Sequence, residues 1–120
     1  MQKKILVVDD EPELLWVLSF RLGKTGYKIF SASDGQEALD LALKIVPDLI
    51  ILDVNLPTLH GDKVAAILKK NEKFKSVPII LISATALSLD ILASECSADG
   101  FFTKPIEPEE LLKKIKQLIG

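Results

Sequence analysis

Asp9 and Asp10 follow the apolar run "ILVV", Asp53 follows "LIIL", Ser83 follows "IILI" and Lys104 follows "FFT". Three acids, a hydroxyl and an ammonium thus sit just beyond short apolar segments. Clustered carboxylates repel one another, and a hard divalent cation relieves that repulsion. Mg²⁺ suits the task because it takes carboxylate oxygens, keeps several waters and bridges protein acids to phosphate. A cation there makes Asp53 a usable nucleophile towards phosphorus. Phosphoryl transfer also needs fixed positive charge and donors for its spreading negative charge. Lys104 supplies the charge, Ser83 supplies a hydroxyl, and the small Ala84 leaves room.

Such a site forms only if the chain brings these residues to one place. Five short apolar runs alternate with five helical patterns. The runs are Ile5–Val8, the more polar Lys28–Ala32, Leu49–Leu52, Ile79–Ile82 and Asp99–Thr103. Continuous apolar runs without alternation read as strands buried on both faces. Pro12 opens a helix expected to end near Lys24, with Gly26 closing it. Asp34-Gly35 opens a second, from Gln36 to Ile45, stopped by Pro47. A third is expected from Gly61 to Asn71 and a fourth from Leu87 to Cys96. The last starts at Glu107-Pro108, and its Leu111, Leu112, Ile115, Leu118 and Ile119 form one apolar stripe. Strands alternating with helices predict a parallel sheet covered on both faces. In such folds, ligands bind where the carboxyl ends of neighbouring strands share an edge. All five chemical residues fall at that edge.

Composition narrows the classes. A chain of 120 residues is the size of one domain, and we expect a single unit, 1–120, with no output domain. Hydrophobic residues at 48% supply a core, and a net charge of −2 gives no basic excess for nucleic acid. No apolar run reaches the ~20 residues of a membrane helix. We read no signal peptide at Met1-Gln2-Lys3-Lys4. Cys96 is the sole cysteine, so no internal disulfide forms and a cysteine zinc site is ruled out. These features fit a cytoplasmic protein. Each chemical residue also has a plainer role: a loop or cap for Asp9 and Asp10, a turn for Asp53, a structural hydroxyl for Ser83. Their joint position at one edge is what distinguishes them.

At "ILVVDDEP", "PDLIILDVNLP" with Gly61 eight residues after Asp53, "VPIILISA" and "ADGFFTKP", the sequence resembles the receiver domain of two-component response regulators. The resemblance covers essentially the whole chain. It implies a flavodoxin-like, doubly wound five-stranded sheet in order 2-1-3-4-5 with five helices, as in chemotaxis-type single receivers. It implies a switch in a phosphorelay rather than an enzyme, catalysing only its own phosphorylation and dephosphorylation. Asp53 would accept a phosphoryl group from a histidine kinase or phosphotransfer protein. Asp10 and Asp53 would hold Mg²⁺, or Mn²⁺ in its place, with Asp9 contacting the metal directly or through water and Asn55 offering its backbone carbonyl. Ser83 and Lys104 would bind phosphoryl oxygens, and Lys104-Pro105 would be a cis peptide. Phe101 would be the aromatic switch, lacking the hydroxyl of the common tyrosine. Asn55 and Thr85 would tune the lifetime of the acyl phosphate, expected to be minutes. Helix 4, strand 5 and helix 5 would form the output surface, and a phosphorylation-dependent homodimer is one assembly consistent with it. His60 stands where many members have Asp.

Helix 1 adds a feature of its own. Leu14, Val17, Leu18 and Leu22 are expected to share a buried face. Leu15, Trp16 and Phe20 then fall on or beside the outer face, with Trp16 and Phe20 four apart and able to touch. Partial burial against helix 5 or strand 2 is one explanation. Docking to the kinase helices, as the resemblance implies, is the other. Rival functions are less consistent with the residues. An aspartyl phosphatase would carry a second Asp where Asn55 stands. A flavin carrier would need a hydroxyl- and glycine-rich loop where "DDEP" stands. A receiver without phosphorylation chemistry has no need of the complete acid, hydroxyl and lysine set.

Overall fold

Three strands are sealed from water along nearly their whole length. They are β1 (Lys4–Val8), β3 (Leu49–Asp53) and β4 (Ile79–Ser83). In the computed structural model, which describes residues 2–85 and 88–120, they form the centre of a five-stranded parallel sheet. The edges are β2 (Lys28–Ala32) and β5 (Gly100–Thr103), and the order is β2-β1-β3-β4-β5. The edge strands are half exposed, which explains the polar Lys28 and Ser31. Alternate residues of the central strands feed opposite faces. Ile5, Val7, Ile51 and Ile80 pack with Leu18 and Leu22 of α1 (Pro12–Lys24) and Leu111 and Ile115 of α5 (Pro108–Ile119). Leu6, Val8, Ile50 and Leu81 pack on the other face, against α2 (Gly35–Ile45), α3 (Gly61–Lys69) and α4 (Leu89–Glu95).

Register carries the chemical residues to one edge. Val8 pairs with Leu52, so Asp9 continues beside Asp53. Asp53 pairs with Ile82, which puts Ser83 one step further along β4. Ser83 pairs with Thr103, which puts Lys104 one step beyond β5. Asp53 and Ser83 are the last residues of their strands rather than the first residues after them.

Local signals set most helix ends. Pro12 occupies the first turn of α1, and Gly26 follows its C-terminus at φ +106°. Asp34 caps α2 by accepting a 2.8 Å hydrogen bond from Glu37 N–H, while the Glu37 carboxylate accepts one from Ser33 N–H at 3.1 Å. Three expectations need correction. The third helix stops at Lys69, not Asn71, because Asn71 turns extended and its side chain caps a 3₁₀ turn, Glu72–Phe74. The fourth helix starts at Leu89, and the predicted start, Leu87, lies outside the described residues. On α1, Leu15 packs with the core while Val17 is exposed, the reverse of the expected pairing. At 100° per residue, Leu14 and Leu15 lie about 60° and 40° to either side of the centre of the Leu18–Leu22 stripe, whereas Val17 lies about 120° from it. The outer face of α1 is therefore Trp16, Val17 and Phe20.

Candidate functional site

Asp9 extends directly from β1 and is fully buried, whereas Asp10, the next residue, is exposed. Asp53 ends β3 with only 3% of its surface exposed. One carboxylate oxygen from each of these three acids lies within 4.8 Å of the other two. The turns that follow hold the inner oxygens: Glu11 N–H donates to Asp9 Oδ1 at 2.8 Å, and Asn55 N–H donates to Asp53 Oδ1 at 3.1 Å. Both oxygens are thereby fixed in orientation, leaving Oδ2 of each turned to other partners.

The main partner is Lys104. Its Nζ lies 2.8 Å from Asp9 Oδ2, 3.0 Å from Asp53 Oδ2 and 2.6 Å from Glu11 Oε1. The Asp9 contact is an ion pair without good hydrogen-bond angles, so Asp9 Oδ2 is a buried oxygen with unspent lone-pair capacity. Burial pushes the Asp9 carboxyl pKa up, and Asp53 adds to that, against the opposing pull of Lys104 and the Glu11 N–H. Burial alone would lower the Lys104 pKa, but contact with Asp9, Glu11 and Asp53 outweighs it and holds the ammonium well above its ordinary range. Lys104 therefore supplies much of the charge balance that sequence reasoning gave to a cation alone. Lys104-Pro105 is a cis peptide, as the resemblance implied.

The donor set fits a hard divalent cation. It consists of carboxylate oxygens from Asp9, Asp10 and Asp53, and Asp9 Oδ2 is buried without a hydrogen-bond donor among the described residues. An ion held by these three acids would supply charge neutralisation at the site.

Ser83 is buried at the end of β4, and its Oγ accepts a 3.2 Å hydrogen bond from Thr85 N–H. Asn55 and Thr85 are exposed at the mouth. Gly61 stands behind Asp53: its N–H donates to Val54 O at 2.9 Å, and a Cβ there would lie 2.0 Å from the Asp53 carbonyl oxygen. That close approach explains the glycine eight residues after the acid. His60 is exposed and precedes α3 without a side-chain cap bond. Cys96 is buried, and burial raises its thiol pKa, as befits a core residue.

Phe101, 47% exposed on β5, stands apart from the acids. Leu15, Trp16 and Phe20 also lie away from them on α1. Trp16 is 68% exposed and Phe20 51%, so burial against α5 or β2 does not account for them. Their rings stack with centroids 5.4 Å apart, and Lys24 Nζ lies 5.3 Å from the Phe20 centroid. Sequence reasoning missed Glu11 as a member of the site. The one signal was its place as a third consecutive acid.

Among the described residues, no helix is long and apolar enough to cross a membrane. Residues 5–116 match the family model described as response regulator receiver domain. The chain is 41% identical over 120 residues to the alkaline phosphatase synthesis transcriptional regulatory protein PhoP of Bacillus subtilis (strain 168), covering 99% of this chain. It spans about half of that relative's length, 49%. Among solved structures, the response regulator TrrA of Thermotoga maritima, in complex with Mg²⁺–BeF, is 38% identical with a TM-score of 0.88 over 98% of this chain and 99% of that one. The chemotaxis response regulator CheY4 of Vibrio cholerae is 31% identical with a TM-score of 0.91 over 98% and 99% of the two chains. With its sheet order, its acid cluster and these matches, the chain belongs to the response regulator receiver domain family, whose members are signalling switches.

Proposed function

We propose that Asp53 is the phosphoacceptor of a two-component phosphorelay. The observation that carries this is the Asp53 carboxylate, buried at a strand end, with its Oδ2 3.0 Å from Lys104 Nζ and with Asp9 and Asp10 beside it. An Asp53 oxygen attacks the phosphorus of a phosphohistidine on a histidine kinase or phosphotransfer protein. The phosphorus–nitrogen bond breaks and its electron pair stays on the imidazole. Lys104 and the Ser83 hydroxyl then hold phosphoryl oxygens. The acyl phosphate is lost when water attacks phosphorus: the bond between phosphorus and the Asp53 oxygen breaks, its electron pair restores the carboxylate, and inorganic phosphate and a proton leave. Asn55 and Thr85 leave the mouth open to that water, which supports a lifetime of minutes. A phosphoryl-Asp53 that survives overnight with Mg²⁺ present would refute it.

Asp10 and Asp53 are the acids we assign to direct Mg²⁺ contact, with Asn55 adding its backbone carbonyl. Asp9, locked to Lys104, contacts the ion directly or through water. Mn²⁺ is a substitute of similar hardness.

Drawing Ser83 and Lys104 towards a phosphoryl group biases the packing of α4 and β5, and Phe101 reports the change. The surface of α4, β5 and α5 is then the output face, through a downstream partner or a phosphorylation-dependent homodimer. The Trp16–Phe20 face of α1 meets the kinase or phosphotransfer protein. We take the chain as one receiver unit acting in the cytoplasm, without direct nucleic-acid or membrane binding. Incubation with acetyl phosphate and Mg²⁺ tests the reading. One phosphoryl group is expected on the protein and none on Asp53→Asn.

A further inference from the structure

Lys104 is surrounded by carboxylates before any phosphoryl group arrives. An ammonium has three N–H donors. Three carboxylate oxygens, from Asp9, Glu11 and Asp53, lie within 3.0 Å of its nitrogen. Two of them, from Glu11 and Asp53, accept hydrogen bonds and Asp9 makes an ion pair only, so a phosphoryl oxygen enters a crowded shell and competes with them for the ammonium. The three are not equally held. Asp9 is fully buried and its other oxygen is fixed by a backbone N–H. Asp53 is the acceptor itself, and its other oxygen is fixed by Asn55 N–H. Glu11 has a side chain that is 62% exposed, and among the described residues its carboxylate meets Lys104 alone. It begins α1 without a side-chain bond to the helix, so its carboxylate is free to leave without uncapping α1.

We propose that Glu11 is a displaceable latch on Lys104, a positioning residue that competes with phosphoryl oxygens for the ammonium and swings out when phosphoryl is held. The contact is short at 2.6 Å, and it points the lysine into the site when no phosphoryl group is present. Its departure costs the ion pair but only moves an exposed side chain into water, so the cost is small beside a buried pair. Glu11 thereby sets the affinity for the phosphoryl group without touching phosphorus. The inference rests on the reading of Asp53 as phosphoacceptor.

The test is titration of the whole chain with beryllofluoride in the presence of Mg²⁺, comparing wild type with Glu11→Gln, Glu11→Ala and Glu13→Gln. Glu13 is an exposed acid in the same turn of α1 and no part of the Lys104 ion-pair set. Both Glu11 variants should bind about fivefold more tightly than wild type, the size of an exposed ion pair that no longer competes. Glu13→Gln should bind like wild type. A second readout needs neither metal nor anion. The Lys104 ammonium should exchange its protons with water faster in Glu11→Gln than in wild type. Equal affinity across wild type and the Glu11 variants, weaker binding by those variants, or equal tightening by Glu13→Gln overturns the latch while leaving Asp53 as acceptor. Absence of any binding by wild type overturns the phosphoacceptor reading and the latch with it.

Discussion

The Lys104 ammonium lies 3.0 Å from the Asp53 carboxylate although the two residues are 51 positions apart. It also reaches Asp9 at 2.8 Å, so one cation holds together the carboxyl ends of three strands. Replacing it with methionine leaves two buried carboxylates without their counter-charge. Lys104→Met should lower stability in metal-free buffer by on the order of 3 kcal/mol. Mg²⁺ should raise the melting temperature of both proteins, and more so in the variant. Thermal melts with and without Mg²⁺ decide it, and a variant as stable as wild type without metal would show that Lys104 carries no structural charge balance.

Gly61 sets the position of the acceptor from behind. A methyl group there overlaps the Asp53 carbonyl oxygen at 2.0 Å, and backbone cannot step aside as a side-chain tip can. Gly61→Ala should cost about 3 kcal/mol or more, lowering the melting temperature by about 10 °C. Chemical denaturation of the two proteins measures this directly.

Much of the arrangement is legible in the sequence. The central strands are continuous apolar runs because both of their faces are covered, and the acids that end them mark the exposed edge. Register then needed only the parallel sheet. What stayed hidden depends on contacts between distant residues or on small angles. Glu11 meets Lys104 across 93 positions, and no local pattern encodes that distance. Leu15 and Val17 exchanged places because neighbours on a helix differ by 100°, and an apolar stripe does not state where its own centre lies. Asn71 ended α3 early because its side chain offered the backbone a competing bond.

The Trp16–Phe20 stack is nearly free of the core and so separates binding from folding. Trp16→Ala should change stability by less than about 0.5 kcal/mol, as surface substitutions usually do. The same variant should slow phosphotransfer from the kinase while leaving phosphorylation by acetyl phosphate unchanged. Equal phosphotransfer rates would remove the docking role of this face.

Asp34 gives the fold a defined response to acid. Its carboxyl pKa is lowered, chiefly by the Glu37 N–H it accepts at the start of α2. A lowered folded pKa means the ionised cap stabilises the protein above the unfolded value, and the contribution is lost as pH falls through the folded value. Asp34→Ala should therefore melt below wild type at pH 7, with the gap unchanged down to about pH 5 and narrowing below about pH 4. A gap that widens in acid would contradict the assignment.

Phosphoryl transfer to Asp53 is tested most directly by intact mass measurement after incubation with acetyl phosphate, with and without Mg²⁺, in wild type and Asp53→Asn. Wild type with Mg²⁺ should gain one phosphoryl group, with little gain when the metal is chelated and none in the variant. A wild-type protein that stays unmodified under all conditions, or an Asp53→Asn protein modified to the same extent, would contradict the role of Asp53.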